Sequence, residues 1–401
     1  MGHNDLVNSR VRLADSATIG RMLDGSGDVV RLIDPKHPAG DIDETRIPDG
    51  FTGVLVSTSG STGTPKTVML SRTALIAAAQ AGIDRLGGPG SWVNPLPDWY
   101  IAGLMTRVRA AVASRSYTQV SPHLEDLTGA QERSYISLVP AQLHHALSNT
   151  KICRNLTSYS AVLIGGAHLG DHLRTRATDA GVAIITTYGM SETCGGVVYD
   201  GIPLDGVEIN LLDTESLSPI IRCREIHAGG GEKREFRDTR SDETTVLSSN
   251  QGRIQITSPT VFEGYVGDPE LTAWVRNDHS FLTNDRGRVV DGRLQVLGRV
   301  DDVIQSGGVN VDLSEIQHLL DHEFPHQVAC FSQPDPVWGS TVIVASTGPD
   351  LDEIWARLKP HLESAGKPRG ILMVDALPRT SSGKIDREQV VQMWRNSGER
   401  A

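Results

Sequence analysis

Residues 54–70 read VLVSTSGSTGTPKTVML, and this stretch is the strongest single clue to the fold. Its apolar ends have the length and β-branched composition of buried strands. The loop between them can turn backbone N–H groups toward an anion, because Gly60 and Gly63 tolerate positive φ. Lys66 adds a positive charge suited to phosphate oxygens. The predicted phosphate-binding residues are Ser59, Gly60, Ser61, Thr62, Gly63 and Lys66.

This loop differs from the Walker sequence, because no Gly-Lys-Ser/Thr follows a glycine at the required spacing. A Ser/Gly loop taken alone is more typical of a flexible turn. The flanking strands and the Thr-Pro-Lys ending favour a phosphate site here.

Short β-rich runs alternate with helical stretches after this loop, which is typical of an α/β domain with buried sheets. A boundary is expected near Arg299, because the following residues predict a small α+β domain. Asp312 and Glu315 fit a capping box for its first helix, and 351–365 predicts a second helix. The sequence therefore predicts a large domain at 1–298 and a small domain at 299–401.

Composition narrows the class of protein. The 401 residues carry a formal net charge of -11, which argues against broad contact with nucleic acid or an anionic membrane. The four cysteines form no CxxC pair, so we expect reduced thiols and no zinc site. Without an apolar signal or a spanning stretch, a cytoplasmic location is expected. Residues 222–250 are charged and poor in apolar residues, which predicts a surface loop.

Further motifs follow the Ser/Gly loop. They are Gly165-Gly166-Ala167, Thr187-Tyr-Gly-Met-Ser-Glu-Thr193, Thr283-Asn-Asp285, Gly298-Arg-Val-Asp-Asp302 and Leu377-Pro-Arg-Thr-Ser-Ser-Gly-Lys-Ile-Asp-Arg387. Their identity and order resemble the superfamily of acyl-CoA synthetases, peptide-synthetase adenylation domains and luciferases. The resemblance covers roughly residues 50–390. It implies a large adenylate-forming domain of stacked sheets and helices, with a small mobile C-terminal domain.

This resemblance also implies a nucleotide pocket. It assigns Tyr188 to stacking on adenine, as an aromatic ring at a strand end can do. It assigns Ser191 to an AMP phosphate and Glu192 to Mg²⁺, a cation that takes carboxylate and phosphate oxygens. Asp285 and Arg299 are assigned to the ribose. The other implied contacts with ATP or AMP are Gly165, Gly166, Ala167 and Gly189.

The small domain is implied to move between two active conformations. Asp301 matches the family hinge, and the segment Ser306, Gly307 and Gly308 matches the tunnel for the thiol of CoA. Lys384 matches the catalytic lysine of adenylation, with Glu192 and Lys66 as the other catalytic residues. A lone Gly-Lys in a loop is otherwise usually a solvated surface charge.

Four short sequence segments indicate which carboxylic acid is activated. Residues 85–90, 96–104, 193–201 and 203–207 resemble o-succinylbenzoate–CoA ligases of the short actinobacterial type, which serve menaquinone biosynthesis. That acid has a flat ring and two carboxylates. The implied acid pocket includes Tyr100, Gly195, Gly196 and Arg109. Either Arg107 or Arg109 could pair with the carboxylate that does not react, although both fit ordinary helix-surface arginines as well.

Four residues depart from the family pattern. Trp99 and Tyr100 stand where the family usually has His, which puts recognition of the acid in doubt. Arg253 stands where many relatives have Glu, and Asn284 replaces the Gly of Thr-Gly-Asp, a mild change because Asn tolerates positive φ.

Two alternatives stay open at this point. The chain could load another aryl or acyl acid onto a carrier protein, or it could be a nucleotide-binding relative without catalysis. The implied partners are ATP, Mg²⁺, CoA and a small carboxylic acid, and the sequence leaves open whether the chain forms a homodimer.

Overall fold

The computed structural model describes residues 11–35, 42–58, 66–212, 251–362, 364–380 and 385–397. The predicted surface loop at 222–250 lies outside these ranges. Among the described residues, no helix combines the length and apolar character that crossing a bilayer requires. Cys153, Cys194 and Cys330 are free thiols within the described part.

Ten helices occur in the described residues. They are α1 Ser16–Asp24, α2 Arg72–Arg85, α3 Ile101–Val112, α4 Pro140–Leu147, α5 Thr150–Leu156, α6 Asp171–Asp179, α7 Pro269–Val275, α8 Leu313–Glu323, α9 Leu351–Leu358 and α10 Arg387–Ser397.

The strands form four sheets. In chain order, the strands of the first half are β1 Val11–Leu13, β2 Val29–Leu32, β3 Gly53–Thr58, β4 Lys66–Ser71, β5 Ser91–Asn94, β6 Tyr117–Gln119, β7 Ser134–Leu138, β8 Ala161–Ile164, β9 Ile184–Met190, β10 Gly195–Tyr199, β11 Ile202–Pro203 and β12 Glu208–Leu212. Those of the second half are β13 Gln251–Thr257, β14 Gly264–Tyr265, β15 Arg276–Asn277, β16 Ser280–Val290, β17 Arg293–Arg299, β18 Val303–Ser306, β19 Val309–Asp312, β20 Val328–Asp335, β21 Gly339–Ser346 and β22 Pro368–Met373.

Three sheets belong to the N-terminal part of the chain. A five-stranded sheet has the order β1-β2-β3-β4-β14, and a seven-stranded sheet has the order β11-β10-β9-β8-β7-β5-β6. The third sheet has the order β12-β13-β16-β15, with β17 paired to β16. Strands β5 to β9 pair in parallel, as buried apolar runs joined by helices predict.

Helices α2 and α3 join the first two sheets into one core. Val54 and Leu70 from the first sheet share an apolar cluster with Leu75 of α2 and Leu104 of α3. Ser71 caps α2 by accepting a hydrogen bond from the backbone N of Ala74 at 3.3 Å. On the other face of the seven-stranded sheet, α4, α5 and α6 cover a second cluster. The predicted α/β architecture is confirmed.

The fourth sheet is built entirely from residues after Asp302. Its order is β19-β18-β21-β20, with β22 parallel to β21. Helix α8 covers one face through Ile316 and Leu320, while α10 covers the other through Val390 and Trp394. This is the predicted small α+β fold. The domain boundary near Arg299 stays a prediction.

Two local predictions for the small domain need correction. Asp312 caps α8, because its Oδ1 accepts a hydrogen bond from the backbone N of Ser314 at 2.9 Å. Its other carboxylate oxygen pairs with Arg286. The predicted reciprocal capping box between Asp312 and Glu315 is therefore wrong. The second helix ends at Leu358 rather than continuing to residue 365. Pro360 follows two residues after Leu358, and proline cannot donate the backbone hydrogen bond that a helix interior requires.

Candidate active site

The centre of the site is the tight reversal between β9 and β10. Register pairs Gly189 with Gly196 across these strands, and a methyl group on Gly189 would overlap the carbonyl oxygen of Gly195. Thr193 is fully buried and fastens the turn, because its hydroxyl accepts from the backbone N of Met190 at 3.0 Å and donates to the oxygen of Gly195 at 2.8 Å. The turn thus sets the direction of the adjacent Ser191 and Glu192.

Glu192 lies between β9 and the short strand β14. Its backbone oxygen accepts from the N of Phe262 at 2.8 Å, and its carboxylate accepts from the hydroxyl of Tyr265 at 2.9 Å. The ammonium of Lys66 lies 5.2 Å from the centre of the Tyr265 ring. Burial raises the pKa of Glu192, and the hydrogen bond from Tyr265 and the charge of Lys66 only partly oppose it. A bound cation would complete the compensation, so this carboxylate fits the Mg²⁺ ligand that the resemblance implies.

Tyr188 and Asp285 meet from different sheets. The hydroxyl of Tyr188 donates to Oδ2 of Asp285 at 2.8 Å. Thr283 orients Asp285, because its hydroxyl accepts from the backbone N of Asp285 at 3.0 Å and donates to the oxygen of Ile254 at 2.8 Å. The structure therefore brings together the residues predicted for adenine and for ribose.

Arg299 completes this side of the pocket. Asp285 and Arg299 are register partners in β16 and β17. The guanidinium of Arg299 makes a two-point ion pair with Asp301, Nε to Oδ1 at 2.7 Å and Nη2 to Oδ2 at 2.9 Å. Hydrogen bonding to Asp301 and the charges of Asp301, Asp285 and Asp302 raise the pKa of Arg299, although burial opposes them. The predicted hinge residue is thus tied directly to a predicted ribose residue.

The structure describes only some of the other residues predicted to bind phosphate or nucleotide. Gly165, Gly166 and Ala167 follow β8 at the edge of the sheet from which Tyr188 also projects. Ser59, Gly60, Ser61, Thr62, Gly63 and Lys384 lie outside the described residues. The neighbours of the first loop are described: Thr58 and Lys66 are register partners in β3 and β4.

Comparison with known proteins identifies the family. Residues 53–266 match the family described as AMP-binding enzyme, and residues 317–384 match the AMP-binding enzyme C-terminal domain. The chain is 33% identical to the probable 2-succinylbenzoate–CoA ligase of Mycobacterium tuberculosis H37Rv over 366 residues, which are 86% of this chain and 85% of that protein. This chain belongs to the AMP-binding enzyme family.

Two other proteins extend the comparison. The feruloyl-CoA synthase of Amycolatopsis sp is 29% identical, over 88% of this chain and 73% of its own length. The crystal structure of Bacillus subtilis o-succinylbenzoate CoA synthetase with the acyl-adenylate OSB-AMP has a TM-score of 0.66 at 21% identity, covering 94% of this chain and 80% of that one. The second similarity shows the shared fold.

In this AMP-binding enzyme, the residues predicted for the acid pocket lie around the start of α3 and of β10. Tyr100 directly precedes α3. A methyl group on Gly195 would lie 3.5 Å from Cγ of Met105 on α3. Gly196 faces Thr187 and Tyr199, each 3.2 Å from where a methyl group would be. The backbone of the two glycines therefore packs closely against α3 and β9, and their assignment to the acid pocket stays a prediction.

The two candidate arginines of the acid pocket are engaged elsewhere. Arg107 pairs with Asp98 and covers the Tyr117 ring at 4.4 Å. Arg109 is only 4% exposed, lies 5.1 Å from the Trp92 ring and donates to the Tyr199 hydroxyl at 3.3 Å. These contacts do not favour direct pairing with a second substrate carboxylate, and that role stays a prediction.

The predicted thiol tunnel falls on the β18–β19 hairpin. Ser306 is buried, and Gly307 and Gly308 form the turn with φ of 59° and 82°. A methyl group on Gly307 would lie 2.6 Å from the Trp338 ring, so this position accepts only glycine. Its assignment to CoA stays a prediction.

Sequence reasoning missed two residues of the site. Tyr265, the donor to Glu192, follows Gly264 in β14, a two-residue strand too short for periodicity to reveal. Arg253 stands out in the sequence as a departure, but the sequence does not show its partners. It is 2% exposed and donates to the oxygen of Thr283 and to Oδ1 of Asn284.

Proposed function

We propose that this chain is an ATP-dependent acid–CoA ligase that converts o-succinylbenzoate to its acyl-AMP and then to its CoA thioester, in menaquinone biosynthesis in the cytoplasm. The observation that carries the proposal is the convergence of Tyr188, Asp285 and Glu192 beside Gly195 and Gly196. The residues proposed for the nucleotide and those proposed for the acid therefore lie next to one another. The name of the Mycobacterium tuberculosis relative supports the choice of acid.

Adenylation requires a weak nucleophile to reach a shielded phosphorus. The substrate carboxylate oxygen attacks the α-phosphorus, the bond to the bridging oxygen breaks, and pyrophosphate leaves with the electron pair. Positioning and charge neutralisation provide most of the catalysis in such a displacement. Mg²⁺, when bound at Glu192, would offset negative charge on the phosphates.

The residues of this chain have distinct tasks in the proposed reaction. Tyr188 supplies a flat face for adenine, and Asp285 accepts hydrogen bonds from the ribose hydroxyls. Lys66 and Lys384 supply positive charge, Lys66 toward the β- and γ-phosphates and Lys384 between the carboxylate and the α-phosphate. The small domain then turns at Asp301, and the thiol of CoA, having lost its proton, attacks the acyl carbon and releases AMP.

The test is a pyrophosphate-exchange screen with o-succinylbenzoate, ferulate, benzoate and aliphatic acids. We expect exchange to be strongest with o-succinylbenzoate, and expect its thioester to form when CoA is added. Strong exchange with a different acid, and none with o-succinylbenzoate, would contradict the proposed substrate. Transfer to a phosphopantetheinylated carrier protein but not to CoA would contradict the proposed acceptor.

A further inference from the structure

Two departures from the family pattern touch each other. Arg253, in place of Glu, lies on β13, and Asn284, in place of Gly, lies on β16, 31 residues later. Nη2 of Arg253 donates to Oδ1 of Asn284 at 2.8 Å, and Nε donates to the oxygen of Thr283. One guanidinium therefore holds two successive residues of β16, directly before Asp285, where the pairing with β13 shifts register.

The charge of Arg253 is retained despite burial. Burial lowers the pKa of Arg253 to about 10, while the charges of Asp301 and Asp285 oppose the decrease. A guanidinium with this pKa is still protonated at neutral pH. Both of its described hydrogen-bond acceptors are oxygens of β16, and the carboxylates of Asp301 and Asp285 lie near enough to favour the charged guanidinium.

A glutamate could not take over the hydrogen bond to the oxygen of Thr283, because an ionised carboxylate has no donor. Its oxygens would face the oxygen of Thr283, and its negative charge would add to those of Asp285 and Asp301. Like charges and facing acceptors are unfavourable in a buried setting. Arg253 and Asn284 are direct hydrogen-bond partners, and a change of either one alone removes this bond from the other.

We propose that Arg253 is a positioning residue that fixes Asp285 for the ribose through Thr283 and Asn284. Tyr188, from the seven-stranded sheet, donates to the same carboxylate, so the direction of Asp285 depends on two sheets. The inference rests on the ribose contact of Asp285 in the proposed function and is independent of the acid that is activated.

The test measures binding of AMP and of 2′-deoxy-AMP and 3′-deoxy-AMP by calorimetry. The proteins compared are the wild type, Arg253→Gln, Asn284→Gly, the double variant and Asp285→Asn. We expect each of the Arg253 and Asn284 changes to weaken AMP binding about fivefold to tenfold and to weaken the deoxynucleotides much less. The double variant should bind AMP within about twofold of the weaker single variant, because both changes remove one interaction.

Controls separate positioning from folding. Arg72→Gln removes a half-buried arginine that donates to the oxygen of Leu23 at 2.7 Å, distant from the site, and should leave AMP binding unchanged. Arg253→Lys should recover part of the affinity for AMP, because lysine keeps the positive charge and can donate to one of the two oxygens that Arg253 contacts. If Arg253→Gln fails to fold, Asn284→Gly carries the test alone, since glycine is the family residue there.

Three results would overturn the inference. The first is wild-type affinity for AMP in Arg253→Gln. The second is an equal loss for AMP and both deoxynucleotides, which would indicate general disruption. The third is unchanged preference for AMP in Asp285→Asn, which would remove the ribose contact itself. None of these measurements involves an acid substrate, so a failed acid screen would leave the inference standing.

Discussion

The hydroxyl of Tyr188 donates a 2.8 Å hydrogen bond to Asp285, a residue 97 positions later in the chain. The two side chains belong to different sheets, β9 in the seven-stranded sheet and β16 in the third. Burial and the charge of Asp285 raise the pKa of Tyr188 well above its usual value, so it remains a donor at any physiological pH. The ring proposed for adenine and the carboxylate proposed for ribose are therefore aligned as a unit.

Tyr188→Phe keeps the ring but removes this hydrogen bond. We expect the KM for ATP to rise about threefold to tenfold while kcat changes less, since the lost group orients the nucleotide and touches no reacting atom. Steady-state adenylation kinetics provide the measurement. Tyr159→Phe is a matched control, because the Tyr159 hydroxyl donates to the oxygen of Thr128 at 3.0 Å and burial raises its pKa to about 12. An identical KM for both variants and wild type would contradict the alignment.

Glu192→Gln should stabilise the nucleotide-free protein while abolishing adenylation. Burial raises the pKa of Glu192, which means that loss of hydration destabilises its ionised form when no cation is bound. A neutral amide at this position avoids that loss of folding free energy. We expect Tm to rise by about 1–3 °C and adenylation to fall at least a hundredfold. Scanning calorimetry and pyrophosphate exchange test the two parts. Glu125→Gln, an exposed carboxylate, should change neither, and a lower Tm for Glu192→Gln would contradict this account.

The sequence predicted most of the scaffold because several strands are continuous apolar runs, as in β8, where all four residues are apolar and buried. The identity and order of the motifs also pointed to residues that the structure brings together, such as Tyr188 and Asp285, and their assignment to a nucleotide stays a prediction. The sequence could not predict that Arg253 meets Asn284, because this contact depends on the register between β13 and β16. Likewise, Arg109 fits a helix surface in sequence, and only the packing of α3 against Trp92 and Tyr199 shows it to be buried.

Gly189→Ala should destabilise the protein by ~2–3 kcal/mol, because the methyl group would overlap the oxygen of Gly195 in the paired strand. The displaced turn also carries Glu192, so adenylation should fall even in the folded fraction. Denaturant unfolding measures the first effect and pyrophosphate exchange the second. Gly20→Ala is the control: nothing lies within 4 Å of the added methyl group, and alanine in α1 should be neutral or stabilising. Equal stability of the two variants would contradict the close approach.

Two histidine pairs join the N-terminal part to the small domain. The ring centres of His168 and His318 are 4.4 Å apart, and those of His144 and His326 are 5.1 Å apart. The pKa values of His144, His168 and His326 are lowered, first by loss of water around the rings and then by neighbouring positive groups. His318 is the first charged neighbour of His168, and His144 that of His326. The other charged groups around the three histidines are His145, His172, Arg174, Arg176 and Arg379, with Asp171 opposing the decrease at His168.

These shifts predict a loss of stability in mild acid. Below the usual histidine pKa of 6.5 the unfolded chain binds more protons than the folded one, so stability is constant above that pH and declines as pH falls through it. Tm should decrease between pH 7.5 and 5.5 by about 1–3 °C more in the wild type than in His168→Gln/His326→Gln. His123→Gln changes a histidine whose ring neighbour, His145, lies in the same part of the chain, and should follow the wild type. Parallel curves for all three proteins would contradict the assignment.

Lys384→Ala should separate the two half-reactions. The neighbours of its loop are held together, since Arg379 forms a bridge with Ile385 and the backbone N of Asp386 donates to the oxygen of Pro378 at 2.9 Å. Removing the ammonium should slow adenylation by about 10²–10³-fold, as loss of a charged group at the reacting phosphate does. Thioester formation from supplied acyl-AMP should stay within a few-fold of wild type, because Lys384 is proposed to leave the site before CoA enters.

Lys367→Ala, which removes a small-domain lysine 5.7 Å from the Trp355 ring, is the control and should preserve both steps. Equal loss of both half-reactions in Lys384→Ala would mean that this lysine supports the protein as a whole and not the first step alone.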